Sequence, residues 1–331
     1  MRLALLAFIL ALALSQTACN AVSEDAPVAD PFDEAEHAAR MVEVTQALID
    51  SRNPQQQAAG LLMAENALMW GWDDQAPVLS ESEFIDQLHA LIDASDSAIT
   101  RALLAQLCAN QGLQAECVRR GLDDAIVALD GAELFARLNL TEPDDQERLR
   151  AVILAAESLN ERQMDYALIL LDAMEAHGEF VPAELSVAPL IHGLMLSPPL
   201  ASIARLCGDP APDDPELDQA CEHLLRLMSE QASSFIVNML ASAVWAQRRE
   251  AQGHAGALET HELRRADFYD WAACNGSASD ELWQAADARF VREFLERWQR
   301  YGEYKAHAFV AEKTGLDCVL EAPPFSSAAA Q

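Results

Sequence analysis

Residues 102–120 read ALLAQLCANQGLQAECVRR. Helix-forming residues run unbroken to a polar stop at Asn110–Gly112, and a second helix begins near Leu113. Cys108 then sits in the last turn of one helix and Cys117 in the first turn of the next, within bonding reach across an αα-hairpin. One stretch therefore fixes two expectations: helices paired through short turns, and thiols placed to staple them.

The same grammar extends in both directions. Apolar residues recur at spacings of three and four, so that Met41, Val44, Ala47 and Leu48 share a face, as do Leu149, Ile153, Ala156 and Leu159. Start signals include the Ser80-x-x-Glu83 capping box, Thr141 two residues before Pro143, and Ser277-x-x-Asp280 after the Asn275–Gly276 stop. Glycines fall between helices, as at Gly112, Gly178 and Gly276. Runs of β-branched residues are absent. The expected fold is all-α with no sheet: about a dozen helices of ten to twenty residues, arranged as an irregular solenoid of helix-turn-helix pairs.

Two stretches, GLDDAIVALDGAELFARL (121–138) and MDYALILLDAMEAHGEF (164–180), each place an acidic residue just before an alanine-led apolar helix. The second resembles a degenerate tetratricopeptide repeat. Its first helix offers Ala151, Leu154, Ala155 and Ser158; its second offers Ala167, Leu171 and Met174. The large aromatic residues of that repeat are missing, and Pro182 falls late. Ala125 and Ala167 lie 42 residues apart, against the usual ~34. The resemblance covers about a tenth of the chain and implies stacked helical pairs.

RLCGDPAPDDPELDQACEHLL repeats the stapled arrangement, with a longer proline-rich loop between Cys207 and Cys221. The chain has seven cysteines, an odd number for an oxidising compartment. If Cys19 is used elsewhere, Cys108–Cys117 and Cys207–Cys221 pair locally, and Cys274 and Cys318 pair by elimination. No C-x-x-C or close Cys/His spacing suggests zinc.

Cys19 lies in the opening stretch MRLALLAFILALALSQTACNA. Arg2 precedes an apolar run, Leu3–Leu14, too short to span a bilayer and right for a signal-peptide core. This resembles a bacterial lipoprotein signal, in which small residues precede a cysteine that is acylated and becomes the new N-terminus. Gln16 departs from the usual aliphatic residue at its position. Cleavage after Ala18 or Ala21 is the alternative and would leave a soluble periplasmic or secreted protein. Asn20 is not the Asp associated with inner-membrane retention, so the resemblance implies an outer-membrane anchor. Residues 20–33, NAVSEDAPVADPFD, have too little apolar surface to fold and reach on the order of 20 Å as a flexible chain. The expected organisation is a signal peptide over 1–18, lipidated Cys19 and an acidic tether over 19–33, a helical-repeat region over 34–240, an aromatic-rich helical region over 241–320, and a disordered tail over 321–331.

Net charge is −31, which repels nucleic acid and anionic lipid, so neither is an expected direct partner and membrane contact runs through the anchor alone. In the C-terminal third, Phe290, Phe294, Trp298 and Tyr301 form one stripe on one helix. Such a stripe is core, or, where partly exposed, a partner-binding groove.

Catalytic patterns are sparse. The chain lacks G-x-S-x-G, H-E-x-x-H, a Walker loop and a Rossmann glycine set, and His261-Glu262 continues Leu-Arg-Arg without a second ligand. Asp209, Asp213, Asp214, Glu216 and Asp218 form a solvated acidic loop without the spacing of an EF-hand. Neither a metal nor another cofactor is expected. One enzyme resemblance exists: soluble lytic transglycosylases are helical, exported and often lipid-anchored, and use a Glu-Ser pair followed by Gly-Leu-Met-Gln. Glu157-Ser158 and Gly193-Leu194-Met195 are similar, though Leu196 replaces the Gln and the interval is roughly doubled. That resemblance implies a glycan-cleaving enzyme using Glu157. The leading expectation is instead a non-enzymatic, membrane-tethered periplasmic scaffold that binds another envelope protein or peptide.

Overall fold

A computed structural model describes residues 34–67, 79–130, 133–177, 180–181, 184–185, 188–189, 193, 196, 200–208, 214–257 and 287–314. Cys19, the leader and tether expected over 1–33, Cys274, Cys318, His261, Glu262, Gly178, the signals expected over Asn275–Asp280 and the tail expected over 321–331 lie outside the described residues. Among the described residues, fourteen helices follow one another: α1 Glu34–Ile49, α2 Pro54–Ala67, α3 Glu81–Ala94, α4 Ala98–Asn110, α5 Gln114–Arg119, α6 Leu122–Asp130, α7 Leu134–Asn139, α8 Gln146–Ala155, α9 Gln163–His177, α10 Leu200–Cys207, α11 Pro215–Gln231, α12 Phe235–Ala251, α13 Ala288–Tyr301 and α14 Glu303–Thr314. No strand occurs among the described residues, only an isolated parallel bridge between Glu133 and Ser158. The all-α class read from the sequence is the class observed.

Local chemistry explains several boundaries. At α3, Ser80 Oγ accepts from the Glu83 amide at 3.3 Å while Glu83 Oε2 accepts from the Ser80 amide at 2.9 Å, the reciprocal pair of a capping box. α4 stops where expected. Gly112 takes a φ of 67°. The Leu113 amide reaches back to Cys108 O at 2.8 Å and the Gly112 amide to Ala109 O at 3.2 Å, which is a Schellman motif. The start expected near Thr141 falls later, because Thr141 Oγ1 donates to Arg137 O and closes α7. Asp145 caps α8 instead, accepting from the Arg148 amide at 3.0 Å. The Leu149–Leu159 face also divides. α8 ends at Ala155, and Ala156 and Leu159 stay buried from non-helical backbone.

Among the described residues, three larger apolar cores and a small fourth one, Phe235 and Met239 of α12 with Tyr304 of α14, organise the helices. The first gathers α1 to α6. The second gathers α7, α8, α10, α11 and α12. The third joins α13 and α14. α9 is apolar around its circumference, and it serves two cores. Tyr166, Ile169, Leu170, Ala173 and Met174 enter the first, while Met164, Ala167 and Leu171 enter the third. α9 therefore packs on α1, α2 and α13, whereas α8 packs on α7 and α11. The two helices of the expected repeat unit thus take different partners, and Ala151, Leu154 and Ala155 of the first are exposed. Among the described residues, no helix is long and apolar enough to cross a membrane.

Candidate functional site

Both local cysteine pairs are bonded. Cys108 and Cys117 are joined with Cα atoms 6.4 Å apart, and Cys207 and Cys221 with Cα atoms 5.5 Å apart. All four side chains are fully buried. The first pair spans the Schellman turn between α4 and α5. The second ties the last residue of α10 to the second turn of α11, whose start is fixed by Asp214 and Pro215. Buried in apolar surroundings, these bridges are structural staples and not exposed redox centres.

The densest polar chemistry lies along the irregular segment 156–162, between α8 and α9. Its backbone is held from several sides: Ala156 O by His223 Nε2 at 2.8 Å, the Leu159 amide by Gln231 Oε1 at 2.9 Å, and the Asn160 amide by Glu133 Oε1 at 3.0 Å. These bonds replace the helical ones that the segment forgoes. Glu133, only 2% exposed, also caps α7, accepting from the Phe135 and Ala136 amides at 3.0 and 2.7 Å. Burial raises its carboxyl above the usual range, against the pull of the three amides and of Arg162.

The seam continues to the start of α12, where two glutamates meet one helix N-terminus. Glu161 Oε1 accepts from the Ser233 and Ser234 amides at 2.6 and 2.9 Å. Glu303 Oε2 accepts from the Phe235 amide at 2.6 Å. The exposed amides and dipole of a long helix favour negative charge there. Burial nevertheless raises Glu161 and pushes Glu303 up to about 7; for Glu303 the Phe235 amide resists this and the charge on Glu161 adds to it. Beside the seam, Gln106, Glu133, Asn139, Asn160 and Arg162 line a small recess with room for a water molecule or two.

The residues singled out in the sequence are dispersed. Phe294 and Trp298 are buried against α9 and α14, and Phe290 stacks on Phe309 with ring centroids 5.3 Å apart. Tyr301 alone of the stripe is 61% exposed. The protein's own helices thus take up most of the stripe. Glu157 stands exposed after the end of α8. Gly193 is buried tightly on α9, where an added Cβ would lie 2.9 Å from Gln163 O. Leu194 and Met195 lie outside the described residues. Of the acidic loop, Asp214 caps α11 and pairs with Arg150 at 2.7 Å, and Asp218 pairs with buried Arg248. Among the described residues no group of three or more His, Cys, Asp or Glu side chains is placed to hold a metal. Of the glutamates that the fold does bring inside, Glu161 and Glu303 carry no local sequence signature, since the amides they accept from lie on distant segments, whereas Glu133 and Glu184 also accept from amides two or three residues away. Compared with family models, curated proteins and solved structures, the chain matches none.

Proposed function

We propose that the protein is an exported, membrane-tethered helical scaffold that works by binding another envelope protein, without chemistry of its own. The observation that carries this reading is the use made of interior ionisable groups. Glu133 has both oxygens, and Glu161 and Glu303 one oxygen each, on backbone amides at helix starts, and Glu184 holds Arg40, His37 at 2.9 Å and the Val181 amide at 2.8 Å. Carboxylates fixed in this way are architecture, because a general acid or base must reach a substrate proton. Two buried disulfides support an oxidising, extracytoplasmic compartment. In this reading helical pairs such as α1–α2, α11–α12 and α13–α14 act as units of an irregular array, and the resemblance to a degenerate tetratricopeptide repeat rests on the Ala151–Ser158 and Ala167–Met174 positions alone. The anchor in this reading is diacylated Cys19 in the outer membrane.

Trp245 and Tyr301, 40% and 61% exposed on α12 and α13, are the positions from which to probe the partner. A photo-crosslinking residue at each, in intact envelopes, should give one discrete adduct, while the same probe at Glu157 should not. The competing reading, a glycan-cleaving enzyme using Glu157, rests on sequence resemblance alone. Peptidoglycan release by the wild type that vanishes in Glu157→Gln, with no adduct at either aromatic position, would replace the scaffold by the enzyme. Metabolic labelling with a palmitate analogue should mark the wild type and not Cys19→Ala; equal labelling of both would remove the anchor.

A further inference from the structure

Glu303 and His307 lie one turn apart on α14, with Nε2 and Oε1 3.9 Å from each other and at least three-quarters of each side chain covered. Glu303 sits on the N-terminus of α12, and its own amide donates to Ser233 O at 2.8 Å. His307 packs against Phe294 and Trp298 of α13, at ring separations of 5.3 and 6.0 Å. The acid is thus placed in a joint between helices and the base in an aromatic enclosure. Tyr304, between them, meets Phe235 of α12 edge-on at 5.7 Å.

We propose that Glu303 and His307 form an uncharged acid–base pair, and that docking α14 moves one proton from the imidazolium to the carboxylate, so that the joint holds with little dependence on pH. In the undocked chain between about pH 4.5 and 6.5 the carboxyl is ionised and the imidazole protonated. In the docked state both are neutral: the imidazolium gives up one of its two N–H protons, the carboxylate gains one, and the two charges disappear together. The proton count is unchanged, so docking has almost no linkage to pH over that interval. Burial supports both halves, pushing His307 down to about 4 and Glu303 up to about 7.

The signs are opposite. The contribution of Glu303 is complete below its ordinary value of 4.5 and is lost as pH rises through about 7. That of His307 is complete above 6.5 and is lost as pH falls through about 4. Among the described residues, Glu161 is a charge that acts on Glu303 and repels its ionised form, and on α13 Gln299 is bonded to Asp165 of α9, itself 3.6 Å from Arg162. On α13, Arg297 is bonded to Glu293 and lies over Phe309. From α12 the Phe235 amide faces Glu303.

Amide hydrogen exchange at Phe235 and Glu303, corrected for intrinsic rates, reads the opening of this joint directly. It is measured on the full oxidised chain as wild type, His307→Gln and Glu303→Gln, at pH 5.5 and 8.5. From the lower to the higher pH, the opening constant of His307→Gln relative to wild type should rise about tenfold, and that of Glu303→Gln should fall roughly 30-fold. A flat or inverted ratio for either variant overturns the pair. Should the variants fail to fold, the ¹⁵N shifts of the His307 ring in the wild type decide: a neutral imidazole at pH 5.5 is expected, and an imidazolium overturns the proposal.

Discussion

Gly60 is where the packing of α1 on α2 can be tested most directly. It lies in the middle of α2, where alanine is intrinsically better by about 1 kcal/mol, and a buried methyl would add about 0.8 kcal/mol. Propensity and burial together therefore argue that Gly60→Ala should stabilise. The geometry says otherwise. A Cβ at this position would lie 2.8 Å from the Ile49 backbone nitrogen, 2.9 Å from Ile49 Cγ1 and 2.9 Å from Leu48 Cβ. Two of these atoms cannot swing aside, so α1 and α2 must separate, although Met41, Val44, Leu48, Ala59, Leu62 and Met63 are all buried in the same core. A gap of 0.5–1 Å forfeits about a quarter to a half of each dispersion contact it opens, and overpacking of this kind costs about 1–3 kcal/mol or more. With clashes against backbone we place the gross cost near the upper end, about 4 kcal/mol, and the net loss at about 2 kcal/mol. For a domain of this size that lowers Tm by roughly 4–8 °C. Urea and thermal unfolding of the oxidised protein measure it. Gly112→Ala is the contrast: nothing lies within 4 Å, but its φ of 67° makes alanine strained, by about 1–2 kcal/mol. A Gly60→Ala protein as stable as wild type, or more so, would mean that the two helices are not in the contact described.

Other expectations follow from single interactions. Replacing Cys108 and Cys117 by alanine should cost about 2.5 kcal/mol, and Cys207 with Cys221 about 3 kcal/mol, by loop-closure entropy; equal urea midpoints with and without reductant would refute both bridges as staples. Glu133→Ala should cost about 2–4 kcal/mol, because it strips the α7 cap and strands the buried Asn160 amide, while Glu133→Gln should cost less; loss of exchange protection confined to residues 134–136 and 158–160 is the signature. Burial works against ionisation of Glu184, yet hydrogen bonds from Arg40, the Val181 amide and His37 hold its carboxyl below the usual 4.5. Its contribution is therefore present above pH 4.5 and lost on acidification below that, and α1 amides should lose protection as the pH falls below the ordinary carboxylate range in wild type but show no such step in Glu184→Gln.

How much of this was legible in the sequence depends on the range of the interaction. The α4–α5 turn was readable because everything that makes it, Asn110 to Leu113 and the flanking cysteines, lies within ten or so residues. Ser80 and Glu83 were readable for the same reason. The break at 156–162 was not. Ala156 and Leu159 keep the helical spacing of Leu149 and Ile153, and what ends the helix is a set of bonds from Glu133, His223 and Gln231. The Phe290–Tyr301 stripe was legible as a stripe, but its coverage depends on α9 and α14, which no local pattern reports. Glu161 and Glu303 look on a helical wheel like ordinary solvent-facing glutamates, and only the fold shows that both end at α12.

That last point bears on function. A glutamate taken inside a protein must lose its charge, find cations, or find amides. Here amides predominate, and they belong to helix starts far along the chain: Glu161 to Ser233 and Ser234, Glu303 to Phe235. The segment between α8 and α9, the start of α12 and the start of α14 are thereby tied at one place, while α9 ties the first apolar core to the third. A strictly linear stack has no such cross-ties, and its repeats loosen one at a time. In this protein Glu161 and Glu303 meet at the start of α12, so a change at either should loosen the three segments joined there together. On the proposed scaffold reading, Trp245 and Tyr301, exposed on α12 and α13, are the surface positions at which a partner is to be sought.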